Sequence, residues 1–324
     1  MHPKDIIRDL DSCAFNEAAL RIFRHQAKNN PVYHEWITAV GVQPEQVKEV
    51  GTIPYLPIGF FRNRDVMCTG PAERYFSSSG TTGAAQSRHY ITDLNWYRGA
   101  AREGFEQVYG PVGEWCLLAL LPGYIERPDS SLVFMVKYFM EESRHPDCGF
   151  FLDQFDALAE RIDRLERAGQ KTLLIGVTHA LLDFASRYPR NLSLTRVMET
   201  GGMKGRRREL TREEVHAELK AAFGLQQVDS EYGMTELLSQ AYATENGLFT
   251  PPPWLRMTAR DVTDPFALLS AGKTGALNAI DLANYHSCSF IATDDLGKIL
   301  PDGSFEVLGR LDHAEARGCA LLVA

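Results

Sequence analysis

Hydrophobic and polar positions along the chain change period several times, and each change marks an element. In "NEAALRIFRHQAKN" Ala18 and Ile22, and Ala19 and Phe23, recur four apart, the spacing of one helix face. "TIPYLPIGFF" follows as a proline-punctuated connector, so residues 1–63 are expected to be mostly helical. From Trp115 the pattern alternates. "WCLLALLP", "KTLLIGV", "SLTRVMETGG" and "LQQVDSEYG" read as short strands. Between them "SLVFMVKYFMEE", "FDALAERIDRLERAG", "THALLDFASRY" and "TREEVHAELKAAFG" keep a helical period. Gly169 stands where a helix C-cap belongs, and Thr211 and Glu214 have capping-box spacing in a helix closed by Gly224. After "TPPPW" the period shortens to that of strands, in "ALNAIDLA", "CSFIATDDLG" and "SFEVLG", with "PDGS" as a turn.

Strands alternating with helices at these lengths require right-handed crossovers, hence an α/β fold around a largely parallel sheet covered on both faces. A more β-rich part is expected at about 254–308. The chain has 324 residues, enough for a sizeable core. The expected organisation is one large domain over 1–308, followed by a hinge and short tail over 309–324.

Composition narrows the function classes. Apolar residues make up 44% and charged residues 23%, ordinary for a soluble globular protein. A formal charge of −8 argues against nucleic acid as the main partner, because phosphate backbones call for clustered Lys and Arg. The longest apolar run, around "CLLALLPGY", is strand-sized, and "MHPKDIIRDLDSC" has no signal-peptide core, so no membrane span is expected. Six cysteines without a CxxC pair fit reduced thiols in a cytoplasmic protein better than a zinc site or a disulfide framework.

One segment builds no core: "FSSSGTTGAAQSRHYITD", from Phe76 to Asp93. It is neither GxxxxGK[ST] nor GxGxxG, and no GxSxG occurs in the chain. Glycines allow close backbone approach, and amides with Ser and Thr hydroxyls can wrap a polyphosphate. A plain solvated loop has the same composition. The order of four short motifs separates the two readings. "SSGTTG", "YGMTE" (Tyr232 to Glu236), "TDDLG" (Thr293 to Gly297) and "GRLD" (Gly309 to Asp312) together resemble the acyl-adenylate-forming superfamily, which includes acyl-CoA synthetases, peptide-synthetase adenylation domains and firefly-type luciferases. "LPIGFFRNRDV", "TGGMKG" and an end soon after "GRLD" resemble the acyl-protein synthetases of bacterial luminescence systems, the LuxE type. "YITDLNWY" is similar to the neighbouring phenylacetate–CoA ligases.

The resemblance implies the superfamily's large N-terminal domain, with parallel and mixed sheets flanked by helices plus a β-rich subdomain, and with the C-terminal lid domain missing or vestigial. It implies ATP and Mg²⁺ as cofactors, and a carboxylate attacking the α-phosphorus of ATP to give an acyl-adenylate and pyrophosphate. Repulsion between the two anions is the obstacle, so catalysis rests on positioning and charge neutralisation. By motif match Ser78, Ser79, Gly80, Thr81, Thr82 and Gly83 would hold the β- and γ-phosphates. Many members carry a lysine just after this loop; here "AAQSR" leaves Arg88 as the candidate cation. Gly201 and Gly202 would line the adenine pocket, Tyr232 beside Gly233 would stack on adenine, Thr235 would meet the α-phosphate and Glu236 would hold Mg²⁺. Asp295 would bind the ribose hydroxyls, with Asp294 in place of a family glycine. Arg310 would reach ribose or phosphate, and Asp312 would mark the hinge. Taken alone, the same residues read as a strand-to-helix turn with Glu236 as a first-turn acid, a strand-exit turn and surface loops.

LuxE-type proteins accept the acyl group on a cysteine near the C-terminus, which here is Cys319; by residues alone, "CALLVA" is an apolar strand with a buried thiol. His89 is a lesser candidate for the carboxylate pocket. Lys204, Arg206, Arg207, Arg208 and Arg212 form either a solvated face or a docking patch for an acidic partner. The expected function is ATP-dependent activation of a carboxylic acid, a fatty acid by resemblance, with transfer to Cys319 or to a partner such as an acyl carrier protein or a reductase subunit. Two alternatives stay open: a ligase with coenzyme A as acceptor, and a nucleotide- or acyl-binding protein without catalysis.

Overall fold

The computed structural model describes residues 12–78, 86–122, 127–201, 210–244 and 246–311. In chain order the elements are α1 (Ser12–Asn29), α2 (Pro31–Ala39), β1 (Leu56–Pro57), α3 (Phe60–Asn63), β2 (Arg74–Ser77), β3 (Arg88–Ile91) and α4 (Leu94–Tyr109). Then come β4 (Cys116–Leu120), α5 (Ser131–Ser143), β5 (Gly149–Phe151), α6 (Phe155–Ala168), β6 (Thr172–Gly176), α7 (Thr178–Arg187), β7 (Thr195–Glu199) and α8 (Arg212–Phe223). The series closes with β8 (Asp229–Tyr232), β9 (Ala241–Ala243), β10 (Leu255–Arg260), β11 (Thr274–Asp281), β12 (Phe290–Ile299) and β13 (Phe305–Arg310). They fall into two compact units.

The second unit, Phe61–Asp65 with Gly70–Pro252, holds a six-stranded sheet in the order β5-β4-β6-β7-β8-β9. Neighbours from β5 to β8 run parallel, and β9 returns antiparallel to β8. β4 and β6 are buried along their whole length, which is why they read as unbroken apolar runs. Helices start where side chains satisfy their free amides: Asp93 accepts from the Trp96 amide, Ser130 from Val133, and Thr211 and Glu214 form the expected capping box. Gly169 and Gly224 end α6 and α8 in the left-handed region. Gly176 is needed for another reason. A Cβ there would lie 2.8 Å from Leu181 Cγ and 3.0 Å from the Leu120 carbonyl oxygen, so its absence lets α7 press onto the sheet.

The first unit joins the two ends of the described chain: Met1–Phe60, Val66–Thr69 and Pro253–Ala324. Its sheet has the order β1-β12-β11-β10, with β13 beside the second half of β12; β1 is parallel to β12 and the other pairs are antiparallel. The helical beginning and the β-rich final third are thus one body. Phe23 of α1 meets the rings of Tyr33 and Phe290 edge-on, each at 6.1 Å. Fully buried Gln26 closes the joint: Nε2 faces the Asn284 and Tyr285 carbonyls at 3.0 and 2.9 Å, while Oε1 accepts from the Ser289 amide at 3.0 Å. Asn30 caps α2 by accepting from the Tyr33 amide and donates to the Ser287 carbonyl at 3.0 Å. β13 runs on through Gly309 and Arg310, so the residues placed at the start of the hinge are strand.

Gln26→Ala strips partners from two carbonyls and an amide in a dry interior. Unfolding in urea is expected to show a loss of about 2–4 kcal/mol with an unchanged m-value.

Candidate active site

β2 and β3 form an antiparallel pair with Ser77 opposite Arg88, and the glycine-rich loop springs from its end. The loop is pinched at its base. The Ser78 amide donates to the Ser87 carbonyl and the Ser87 amide to Ser78 Oγ, both at 3.0 Å. The segment after β4 then binds this base. One terminal nitrogen of Arg127 lies 2.7 Å from the Ser78 carbonyl oxygen and 3.2 Å from both the carbonyl and the hydroxyl of Ser77. The Ser77 amide donates to the Asp129 carbonyl at 2.9 Å, and its hydroxyl donates to the Asp129 carboxylate. Ser79, Gly80, Thr81, Thr82 and Gly83 lie outside the described residues. Arg88, expected as the loop's cation, instead lies 3.6 Å from Asp65 on an exposed face. Arg127 is the cation bound to the loop's base, and nothing local in "ERPDSS" announces it.

Glu199 closes β7 and is only 6% exposed. It accepts from Thr178 Oγ1 at 3.0 Å, the Gly201 amide at 2.7 Å and Ser230 Oγ at 2.6 Å. Arg212 Nε lies 3.6 Å away and His216 Nε2 3.8 Å. Burial alone would raise this carboxyl's pKa. Hydrogen bonds from His216 and Ser230, the Arg212 charge and the Gly201 amide outweigh it and hold the pKa at about 2. Gly201 takes a φ of +73°, the turn that brings its amide back to Glu199. Gly202, like Lys204 and Arg206 to Arg208, is outside the described residues. Arg212 serves this site rather than a free basic face: its guanidinium also sits 4.9 Å from the Phe249 ring, which packs at 5.7 Å on Tyr232.

Tyr232 ends β8, and Gly233 to Glu236 form the turn that follows it. The turn leads into antiparallel β9, not into a helix, so Glu236 is no first-turn acid. It is buried at the sheet's carboxyl edge, where ligands of open α/β sheets gather. Fully buried His89 donates from Nδ1 to the Thr235 carbonyl at 2.8 Å, tying β3 of the loop hairpin to this turn. That ring nitrogen therefore has a structural task.

In the first unit the "TDDLG" residues run inside β12. Asp295 stands directly opposite Arg310 across the β12–β13 ladder, with Nε 3.3 Å from its carboxylate; Asp295 is 7% exposed. The two residues assigned to the ribose are thus brought together. Asp312 and Cys319 lie outside the described residues. Among the described residues no group of three or more His, Cys, Asp or Glu side chains is placed to hold a metal ion. A lone carboxylate such as Glu236 still suits Mg²⁺, which keeps its waters and shares substrate phosphates.

The fold is shared with acyl-adenylate-forming ligases. A structure of 2-hydroxyisobutyryl-CoA ligase in complex with 2-HIB-AMP and CoA, in an open conformation, superposes with a TM-score of 0.71 at 13% identity, over 93% of this chain and 70% of that one. The same ligase in its thioesterification state gives 0.73 at 14% identity, over 94% and 70%. ATP-bound MatB from Rhodopseudomonas palustris gives 0.53 at 18% identity, over 75% of this chain and about half, 49%, of MatB. Comparison with curated protein sequences gives no match. The family model described as "Acyl-protein synthetase, LuxE" matches residues 2–324, and the chain belongs to that family. It is an acyl-adenylate-forming enzyme.

Because the folded pKa of Glu199 is depressed, its ionised form stabilises the protein above the unfolded value near 4.5, and that contribution is lost as pH falls toward 2. Glu199→Gln should cost about 2–3 kcal/mol at pH 7. In denaturant titrations across pH, the gap to wild type should close below pH 4.5.

Proposed function

We propose that the chain activates a carboxylic acid with ATP and Mg²⁺ and passes the acyl group to a protein thiol, either its own Cys319 or that of an acidic partner such as a carrier protein. The observation that supports this reading most is the joining of two motifs in one unit. Arg127 grips the base of the serine-rich loop, and His89, from the same hairpin, holds the Thr235 turn.

The substrate carboxylate attacks the α-phosphorus, the bond to the bridging oxygen breaks, and pyrophosphate leaves. The loop from Ser78 to Gly83 offers amides and hydroxyls to the β- and γ-phosphates, and Arg127 supplies the positive charge that the missing lysine would have carried. Thr235 orients the α-phosphate, and Gly201, Gly202, Tyr232 and Gly233 border the adenine. Asp295 and Arg310 take the ribose role. Glu236 would hold Mg²⁺, which would supply charge neutralisation at the phosphates. In the second step the thiolate attacks the acyl carbon, a thioester forms, and AMP departs. The likeness to a ligase solved with CoA favours a second reading, in which coenzyme A is the acceptor. No helix among the described residues is long and apolar enough to cross a membrane.

Acid-dependent ATP–pyrophosphate exchange tests the first step. Glu236→Ala should abolish exchange, and Arg127→Ala should lower kcat/KM for ATP by about 10²-fold, as losing a charge-stabilising donor does. Absence of exchange with every acid overturns the reading. Cys319→Ser should keep exchange but lose hydroxylamine-sensitive acylation of the chain; thioester appearing only on coenzyme A supports the second acceptor.

A further inference from the structure

The amino edge of the six-stranded sheet holds two thiols that the steps above do not use. Cys116 opens β4, and Cys148 stands one residue before β5. These strands run parallel with Leu118 opposite Gly149. The register carried back one residue puts Cys148 beside Leu117 and makes it the diagonal neighbour of Cys116. With strands about 4.8 Å apart, such neighbours have Cα atoms about 6 Å apart, inside the range that a disulfide bridges. The edge that presents Glu199, Tyr232 and Thr235 is the opposite one, because β4 to β8 all point the same way.

The surroundings of Cys148 fix where its sulfur lies. β5 begins too late to offer the Leu117 amide a carbonyl, and that amide donates to Cys148 Sγ instead, at 3.2 Å. Covalent geometry then keeps the sulfur within about 6 Å of Cys116 Cα. There the Cys116 thiol donates to it. Ser143 Oγ also lies 3.5 Å from Cys148 Sγ, but its one proton goes to the Trp115 carbonyl at 2.5 Å. The hydrogen bond from Cys116 first, then the Leu117 amide and nearby His145, hold the Cys148 thiol below its usual pKa in spite of burial. The Asp147 carboxylate, which would oppose an anion here, is paired with Arg164. Cys116 is fully buried, whereas Cys148 is partly exposed. Among the described residues no third His, Cys, Asp or Glu joins them as a metal ligand. An accessible thiolate backed by a second, shielded thiol is the arrangement of a redox-responsive pair.

We propose that Cys116 and Cys148 form a disulfide on exposure to hydrogen peroxide, with Cys148 as the attacking thiolate and Cys116 as the resolving thiol. The Cys148 sulfur attacks one peroxide oxygen, the O–O bond breaks, and hydroxide leaves, so Cys148 becomes a sulfenic acid. Its negative charge is gone, and with it the first reason that the Cys116 proton is held so firmly. The Cys116 sulfur then attacks Cys148, the S–O bond breaks, and the departing hydroxide takes the Cys116 proton as water. A thiolate and a thiol are oxidised to one disulfide, and the peroxide is reduced to one hydroxide and one water. The new bond closes a ring of chain containing Arg127 and α5, and so removes freedom from that part of the unfolded chain.

The reduced full chain, treated with a small excess of hydrogen peroxide, is capped with N-ethylmaleimide, digested without reductant and mapped by mass spectrometry. A peptide pair joined through Cys116 and Cys148, and released by dithiothreitol, should be the main product. In Cys116→Ala the reaction should stop at the sulfenic acid, so that dimedone labels Cys148. In Cys148→Ser both the bridge and that label should be absent. Oxidised wild type should melt several degrees above the reduced protein, a gap that dithiothreitol closes and neither variant shows. Three outcomes overturn the proposal: no link between Cys116 and Cys148, a link from either to another cysteine in its place, or dimedone labelling of Cys148 in Cys116→Ala no greater than that of buried Cys68. If Cys116→Ala does not fold, the mapped wild-type bridge decides by its presence or absence.

Discussion

The second unit depends on keeping one buried anion ionised. Glu199 sits at the carboxyl edge of the parallel sheet, where burial works against its charge, and only a full set of donors offsets that cost. The donors come from four places: Thr178 at the start of α7, Gly201 in the strand exit, Ser230 on β8, and Arg212 and His216 on α8. Satisfying one carboxylate therefore fixes two helix ends, the next strand and the turn. Arg212 extends the set through Phe249 to Tyr232. Displacing any member leaves a charge in a medium that cannot solvate it, so the edge that presents Tyr232 and Thr235 is held rigid by electrostatics rather than by apolar packing alone.

The first unit solves a different problem by the same means. Its chain segments come from opposite ends of the sequence, and shape complementarity among Phe23, Tyr33 and Phe290 does not by itself select a register. Gln26 and Asn30 do, because each must find particular backbone groups between Asn284 and Ser289. A shift of one residue would leave these amides and carbonyls unpaired in the interior.

What could be read from sequence follows from the range of the interactions. Period, caps and breakers act over a few residues, so the alternation from Trp115 to Tyr232, the capping box at Thr211 and the C-caps at Gly169 and Gly224 were all visible. The family was visible too, because four short motifs kept their order. The turn after Tyr232 was open to a helical reading, since nothing within "YGMTELLSQ" reveals that the next partner is an antiparallel strand. Arg127 was hidden for a similar reason. It lies far along the chain from the serines it binds, and only the fold brings the segment after β4, and with it Arg127 rather than Arg88, to the loop's base. Glu199 and Glu231 were hidden most deeply, each looking like an ordinary acid at a strand end.

Those two carboxylates show how one sheet edge can hold two acids in different protonation states. Glu231 is the sequence neighbour of Ser230, which donates to Glu199, and strand alternation sends the two acids to opposite faces. Glu199 is saturated with donors and stays charged at about 2, whereas Glu231 lacks them and is raised to about 8, so at neutral pH one is an anion and the other mainly a neutral acid. Their mutual repulsion widens the separation, since the charge fixed on Glu199 disfavours a second charge across the sheet. The saturated acid has no capacity left for a ligand and can only organise its surroundings. A charged and a neutral acid are thus divided between the two faces of one sheet edge by the number of donors each face provides.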